Sequence, residues 1–296
     1  MIEVRGLSKA FGAVRALDGV NMHVEEGSIY GLVGPNGAGK TTLLQHVAGV
    51  MRPDAGTVCV GGAAVWENPQ VKEAISYVPS DFYFFRQARV RDLCSLHASV
   101  FPRFDVQRFE QLAQAYGFDE QRTVRTLSKG MQKQLAFCLA LAARPDVLLL
   151  DEPLDGLDPA ARHAVLGQVM DEVAKRRMTV LVSSHNLREL TDICDHVGIM
   201  DAGRMRLERD LEDLQGGFVK VQVAFAEDEG QGVARVMPQL DVLHAETQGR
   251  LHTLVVRGGA SQVEALLQRE GAVFVNVLPL SLEEIFIYEV GGAHHE

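Results

Sequence analysis

Residues Gly34-Pro35-Asn36-Gly37-Ala38-Gly39-Lys40-Thr41 carry the full spacing G-x-x-x-x-G-K-[ST]. Glycines let a backbone wrap closely round a phosphate, loop amides and a helix N-terminus supply positive potential, and the Lys40 ammonium reaches the outer phosphates. Thr41 is then placed to give its hydroxyl to Mg²⁺, and Thr42 opens the helix behind the loop. A strand-to-helix turn that binds nothing needs one or two glycines and no Lys-Thr at fixed offset. A second group is Asp151-Glu152, two carboxylates closing the apolar run 147–150. Here Asp151 can hold Mg²⁺ while Glu152 polarises a water, which requires one acid fixed on the metal and the other turned toward the γ-phosphate. His185 stands at the end of a further apolar run, 179–184, and is read as a pole of the same site.

Strands and helices must hold these groups in place. Residues 28–33 read as a buried strand before the loop and 42–48 as the helix after it, the context that supports the motif. Runs 147–151 and 179–184 are continuous apolar strands of a buried parallel sheet, whose C-terminal ends are where α/β folds place ligands. Ahead of the loop, alternation over 2–7, 13–17 and 20–24 predicts three short strands of an antiparallel sheet. Phe11, next to Gly12, is either core filling or a platform for a base, and the residues alone favour the core. Residues 75–83 read as a buried strand ended by proline, followed by helices over 90–100 and 106–116. Between them the aromatics Phe82, Tyr83, Phe84 and Phe85 serve packing or a docking surface. Ser128 is a helix N-cap, and Asp158-Pro159 opens a helix with Val165, Val169 and Val173 every four residues.

From Gly216 the composition changes. Val219, Val221, Val223 and Phe225 alternate with polar or small residues, and 251–257 and 272–278 are also strand-like. Capping boxes at Ser261/Glu264 and Ser281/Glu284 predict helices over 262–269 and 282–288. The reading is a small α+β extension joined through Gln215-Gly216-Gly217, with a frayed tail over 291–296. Across all 296 residues, 29 basic and 39 acidic side chains leave a net charge of −10, which gives no general attraction to nucleic acid. Four dispersed cysteines, Cys59, Cys94, Cys138 and Cys194, suit a reducing compartment. The chain contains no run of 18 apolar residues and starts on a strand-like alternation, so it is expected to be neither secreted nor membrane-spanning.

The phosphate loop, the segment Leu127-Ser128-Lys129-Gly130-Met131-Gln132, the Asp151-Glu152 strand and His185 come in an order that resembles the ATP-binding subunit of ABC transporters. The resemblance implies an α/β fold: a P-loop NTPase core of ABC ATPase type with an N-terminal antiparallel β subdomain and an inserted helical subdomain at about 82–144. It covers residues 1–215 as the ATP-binding domain, leaving 216–296 as the extension. It also implies a dimer that sandwiches two ATP, in which Ser128 and Gly130 meet the γ-phosphate held by the opposite subunit. Lys40 and the loop 34–42 hold phosphates, and Thr41 and Asp151 hold Mg²⁺. Glu152 becomes the general base, Asp158 the acid of the loop that follows it, His185 the switch histidine and Phe11 the adenine-stacking residue.

Two positions depart from the family pattern. Lys129 and Met131 replace the usual glycine and glutamine of the signature segment, a form that resembles exporter subunits encoded apart from their permease. Ser80 stands where a glutamine usually reaches the metal; a hydroxyl is shorter, so Ser80 is expected to act through water or with help from Asp81. The ending Ser281-Leu282-Glu283-Glu284-Ile285-Phe286 resembles the close of such exporters' C-terminal extension. The implied partners are a membrane permease on a separate chain, met around residues 80–96, and a second cassette, a homodimer being favoured. No nucleic acid is expected, and the implied place is the cytoplasmic face of the membrane. The rival reading is a soluble ABC ATPase that acts as a regulatory or mechanical module beside a ribosome or sensor kinase.

Overall fold

The computed structural model describes residues 1–81, 83–85, 87–190, 192–226, 231–278, 280 and 284–285. It divides into two compact units, Met1–Glu208 and Arg209–Glu296. In chain order the first contains β1 (Ile2–Phe11), β2 (Val14–Val24), β3 (Ile29–Val33), α1 (Lys40–Val47), β4 (Ala55–Val60) and β5 (Ala63–Ala64). There follow α2 (Pro69–Lys72), β6 (Ile75–Val78), α3 (Val90–Val100), α4 (Val106–Ala115), α5 (Lys129–Ala142), β7 (Val147–Asp151), α6 (Pro159–Arg176), β8 (Thr179–Ser184), β9 (His196–Asp201) and β10 (Arg204–Asp210), whose last two residues are counted in the second unit.

Two sheets organise this unit. An antiparallel sheet has the order β2-β1-β4-β5, and a second sheet runs β10-β9-β3-β8-β7-β6. In the latter, β3, β6, β7, β8 and β9 are paired in parallel. Every residue of β3, β7 and β8 is buried, as continuous apolar runs in a two-sided parallel sheet must be. One buried cluster joins Ile2, Val4, Leu17 and Met22 of the antiparallel sheet to Leu43, Leu44 and Val47 of α1 and to Leu32, Leu149 and Leu181 of the parallel strands. Each such leucine contributes roughly 1.5–3 kcal/mol by leaving water. The helices α3, α4 and α5 are inserted between β6 and β7 and bury Leu93, Phe109, Leu112, Leu135 and Phe137. The α/β class, the antiparallel subdomain and the helical insert are as the sequence led us to expect.

Register does the positioning. Val33 lies opposite Ser184, and Asp151 opposite Ser183. The ends of β3, β7 and β8 therefore stop side by side, so the loop 34–39, Glu152 and His185 leave the sheet from adjacent points.

The second unit contains α7 (Leu211–Gly216), β11 (Phe218–Phe225), α8 (Gln231–Val236), β12 (Asp241–Gln248), β13 (Leu251–Arg257), α9 (Ala260–Arg269) and β14 (Ala272–Leu278). Its sheet has the order β12-β13-β11-β14, with each neighbouring pair antiparallel. Val219, Val221, Val223 and Phe225 form its core with Val233 and Val236 of α8 and Val263 and Leu267 of α9.

Several local expectations are corrected. Residues 13–17 and 20–24 belong to one strand, because β2 stays paired with β1 through successive register shifts. The strand expected over 75–83 stops at Val78, since Pro79 lacks the N–H that would extend the ladder. Strand β12 was not anticipated. Ser261 does not cap its helix: α9 starts at Ala260 behind Gly259, which places Ser261 inside the first turn. Ser281, Leu282, Glu283 and the residues from Phe286 on, the tail 291–296 included, lie outside the described residues, as does Phe82; of the expected capping box, the helix over 282–288 and the closing motif, only Glu284 and Ile285 are described, and both are helical.

Candidate functional site

The loop after β3 needs its glycines for two different reasons. A Cβ on Gly34 would lie 2.2 Å from the Met200 carbonyl oxygen, so no side chain fits there. Gly39 has φ +103° and caps α1, a backbone conformation that L-residues avoid. Behind them Lys40 is buried, and its Nζ donates to the Gly34 carbonyl at 2.6 Å and the Pro35 carbonyl at 3.3 Å, and lies 3.2 Å from Glu152 Oε1.

Asp151 is fully buried at the end of β7, where an unpaired carboxylate would be costly. Three hydroxyls hold it: Ser183 Oγ donates to Oδ1 at 2.7 Å, Thr41 Oγ1 to the same oxygen at 3.1 Å, and the Tyr77 hydroxyl to Oδ2 at 3.4 Å. Burial, and then the Asp151 charge, push the Tyr77 phenol well above its ordinary range, so it stays a donor. The Ser183 oxygen has a second task, accepting the Glu152 backbone N–H at 3.0 Å.

Glu152 has φ +47°, in the left-handed region, and this turns its side chain out of the strand direction. Its Oε2 accepts the His185 backbone N–H at 3.2 Å and lies 2.9 Å from His185 Nδ1. That hydrogen bond raises the His185 pKa above the ordinary imidazole value, with smaller contributions from Asp155 and Glu189. Ligand atoms of Glu152, Asp155 and His185 all lie within 4.8 Å of one another. Lys133, on α5, is buried and donates through Nζ to the backbone carbonyls of Glu152 and Asp155, each at 2.8 Å.

The structure thus brings Lys40, Thr41, Asp151, Glu152 and His185 into one connected group. Ser80 lines a cavity of about 500 Å³ with Asp81, Lys133, Glu152 and Asp155, and among the described residues it forms no hydrogen bond to Thr41 or Asp151. Ser128 caps α5 by accepting the Met131 N–H at 3.2 Å, and Asp158 caps α6 by accepting the Ala161 N–H at 2.9 Å. These two share a different surface concavity with Gly130, which no residue of the loop 34–42 lines. Phe11 ends β1 with its ring half exposed and Lys9 Nζ 5.8 Å from the ring centre. Asp54 fixes that strand end, accepting from Lys9 Nζ and the Ala10 N–H at 2.8 Å each.

Sequence reasoning missed Lys133, Ser183 and Tyr77. A lysine among the apolar residues of α5, and two serines closing an apolar strand, were the available signals.

A family model described as ABC transporter matches residues 17–155. The chain is 34% identical over 293 residues to the ABC transporter ATP-binding protein YtrB of Bacillus subtilis (strain 168), covering 99% of each. It is 30% identical over 306 residues to the Nod factor export ATP-binding protein I of Cupriavidus metallidurans, covering 98% of this chain and 97% of that one. A solved structure described as the ATP binding subunit of an ABC transporter superposes with a TM-score of 0.67 at 27% identity, over 73% of this chain and 92% of that one.

Proposed function

Because the chain belongs to the ABC transporter family as one of its ATP-binding subunits, an ABC ATPase, we propose the following division of labour among its residues. Residues 34–42 wrap the ATP phosphates, with Lys40 exchanging its loop carbonyls for phosphate oxygens. The adenine stacks on Phe11. Glu152 is the general base: it stands beside the Lys40 ammonium, and its other oxygen rests on His185, which holds the carboxylate in place. The contact of Lys40, Glu152 and His185 is the single observation that carries this reading.

A divalent ion fits the pair Thr41 and Asp151. Their facing oxygens are hard donors 3.1 Å apart, and the carboxylate is anchored from behind by Ser183, a set suited to Mg²⁺ shared with substrate phosphates. When bound there, Mg²⁺ neutralises charge on the β- and γ-phosphates. Ser80 faces the base rather than this pair and acts on it through water, with Asp81 beside it.

Ser128, Gly130 and Asp158 line their own concavity, so they serve a nucleotide held by a second cassette, and two copies of this chain closing on two ATP satisfy that need. A separate permease docks on a groove of about 260 Å³ lined by Tyr83, Phe84, Phe85, Leu93, Leu96 and Phe101, among others. There Tyr83 is 98% and Phe85 73% exposed, a large amount of aromatic surface to leave in water. No helix among the described residues is long and apolar enough to cross a membrane, and in this reading the permease holds the chain on the cytoplasmic face. Export is the direction we favour, after the exporter named above.

The test is the mass of Glu152→Gln by light scattering, with and without Mg²⁺-ATP. ATP-dependent dimers with turnover lowered by about 10²-fold or more support the reading. Turnover near wild type removes Glu152 from its role.

A further inference from the structure

Lys133 lies on the helix that opens at Ser128, yet it makes no use of the concavity there. Its side chain passes inward, is 6% exposed, and ends between two carbonyl oxygens of the chain segment that follows β7. Burying an ammonium costs several kcal/mol unless it is well paired, and burial does lower the pKa of Lys133. A methionine of similar length would fill the same space at no such cost. The ammonium is therefore there for its donors, which are compact and tetrahedral and can hold two carbonyls at once.

Those carbonyls belong to Glu152 and Asp155, the two ends of one turn. The turn's own closure is weak, with the Asp155 N–H at 3.4 Å from the Glu152 carbonyl. Its first residue has the left-handed φ of +47°, which costs a non-glycine residue on the order of 1 kcal/mol. A strained and loosely closed turn would let the Glu152 carboxylate drift, and displacement by about 1 Å can cost 10²-fold in rate. Glu152 itself meets Lys40 and His185 through its carboxylate, on the side of the loop that follows β3. Lys133 and Ser183 hold it from the sheet and helix side.

We propose that Lys133 is a positioning residue for hydrolysis: it pins the turn that carries Glu152 to α5, so that the helix capped by Ser128 and the base of the same chain move as one body. This rests on the reading of Glu152 as the base. Engagement of Ser128 by a partner's nucleotide then reaches Glu152 within five residues of helix and one side chain.

The experiment compares Lys133→Met in the wild-type and Glu152→Gln backgrounds, measuring turnover and ATP affinity. The expected result is turnover lowered by about 10- to 100-fold with ATP affinity within threefold, and no further loss of residual turnover in the Glu152→Gln background. Turnover within threefold of wild type overturns the proposal, as does an equal loss in both backgrounds or a loss of ATP affinity in proportion to rate. If Lys133→Met does not fold, Lys133→Gln, which loses the charge and is one bond shorter, is held to the same turnover and affinity criteria in both backgrounds. Glu152→Gln alone, if fully active, refutes the general-base reading rather than the Lys133 contact, so the two failures are told apart.

Discussion

Ser183 offers a test of how the site is held together before any nucleotide arrives. Its hydroxyl donates to the fully buried Asp151 carboxylate at 2.7 Å and accepts the Glu152 N–H at 3.0 Å, so Ser183→Ala removes two partners at once. A hydrogen bond to a charged group contributes about 1.5–3 kcal/mol, and a buried N–H left without a partner costs about 1–3 kcal/mol. Thr41 still reaches the same Asp151 oxygen at 3.1 Å, so the full sum is not reached and a loss of about 2–4 kcal/mol is expected. For a unit of this size that corresponds to a fall in Tm of roughly 4–16 °C. The only tryptophan, Trp66, lies in the first unit, so its fluorescence during urea unfolding follows that unit. Tyr77→Phe is the comparison, because its contact with Asp151 is long at 3.4 Å and should be worth less than about 1 kcal/mol. A Ser183→Ala loss below about 1 kcal/mol, or an equal loss for Tyr77→Phe, would refute the view that this serine carries the buried acid.

Two further predictions concern the ligand side of the site. The His185 imidazole should titrate above its ordinary 6.5 in the free protein and return toward that value in Glu152→Gln, as read by NMR. The sign follows from the raised pKa: the stability this pair contributes is complete below pH 6.5 and is lost as pH rises through the folded value; identical titrations in both proteins would count against it. Phe11→Ala should weaken ATP binding by about 5- to 150-fold, from stacking worth about 1–3 kcal/mol, while affinity for inorganic triphosphate stays unchanged. Equal losses for both ligands would remove the base from Phe11.

What the sequence made legible follows from how local each signal is. The glycine-rich turn from β3 into α1 and the apolar strands β3, β7 and β8 were readable because glycine spacing and a continuous apolar run each have one main structural use. The caps Ser128 and Asp158 were readable for the same reason: a short side chain meets an N–H three residues on. Strand β12 was hidden because it sits at an edge with most side chains exposed, which leaves little alternation. Strand β2 looked like two pieces because Gly19, at φ +65°, and the register shifts of its pairing break the pattern. The double role of Ser183 depends on which residue of β7 lies across from it, and the role of Lys133 on where α5 crosses the turn. Neither fact is present in any window of residues.

The self-contained bonding of Lys40 has a consequence for selectivity. Its ammonium already rests on two loop carbonyls and beside a carboxylate, so an incoming anion must displace neighbours rather than fill a vacancy. A lone inorganic phosphate offers few oxygens for that exchange, whereas in the proposed reading a triphosphate chain would engage loop amides, lysine and threonine together. On the proposed reading the loop sets a threshold, yielding only to a ligand that grips it at several points at once.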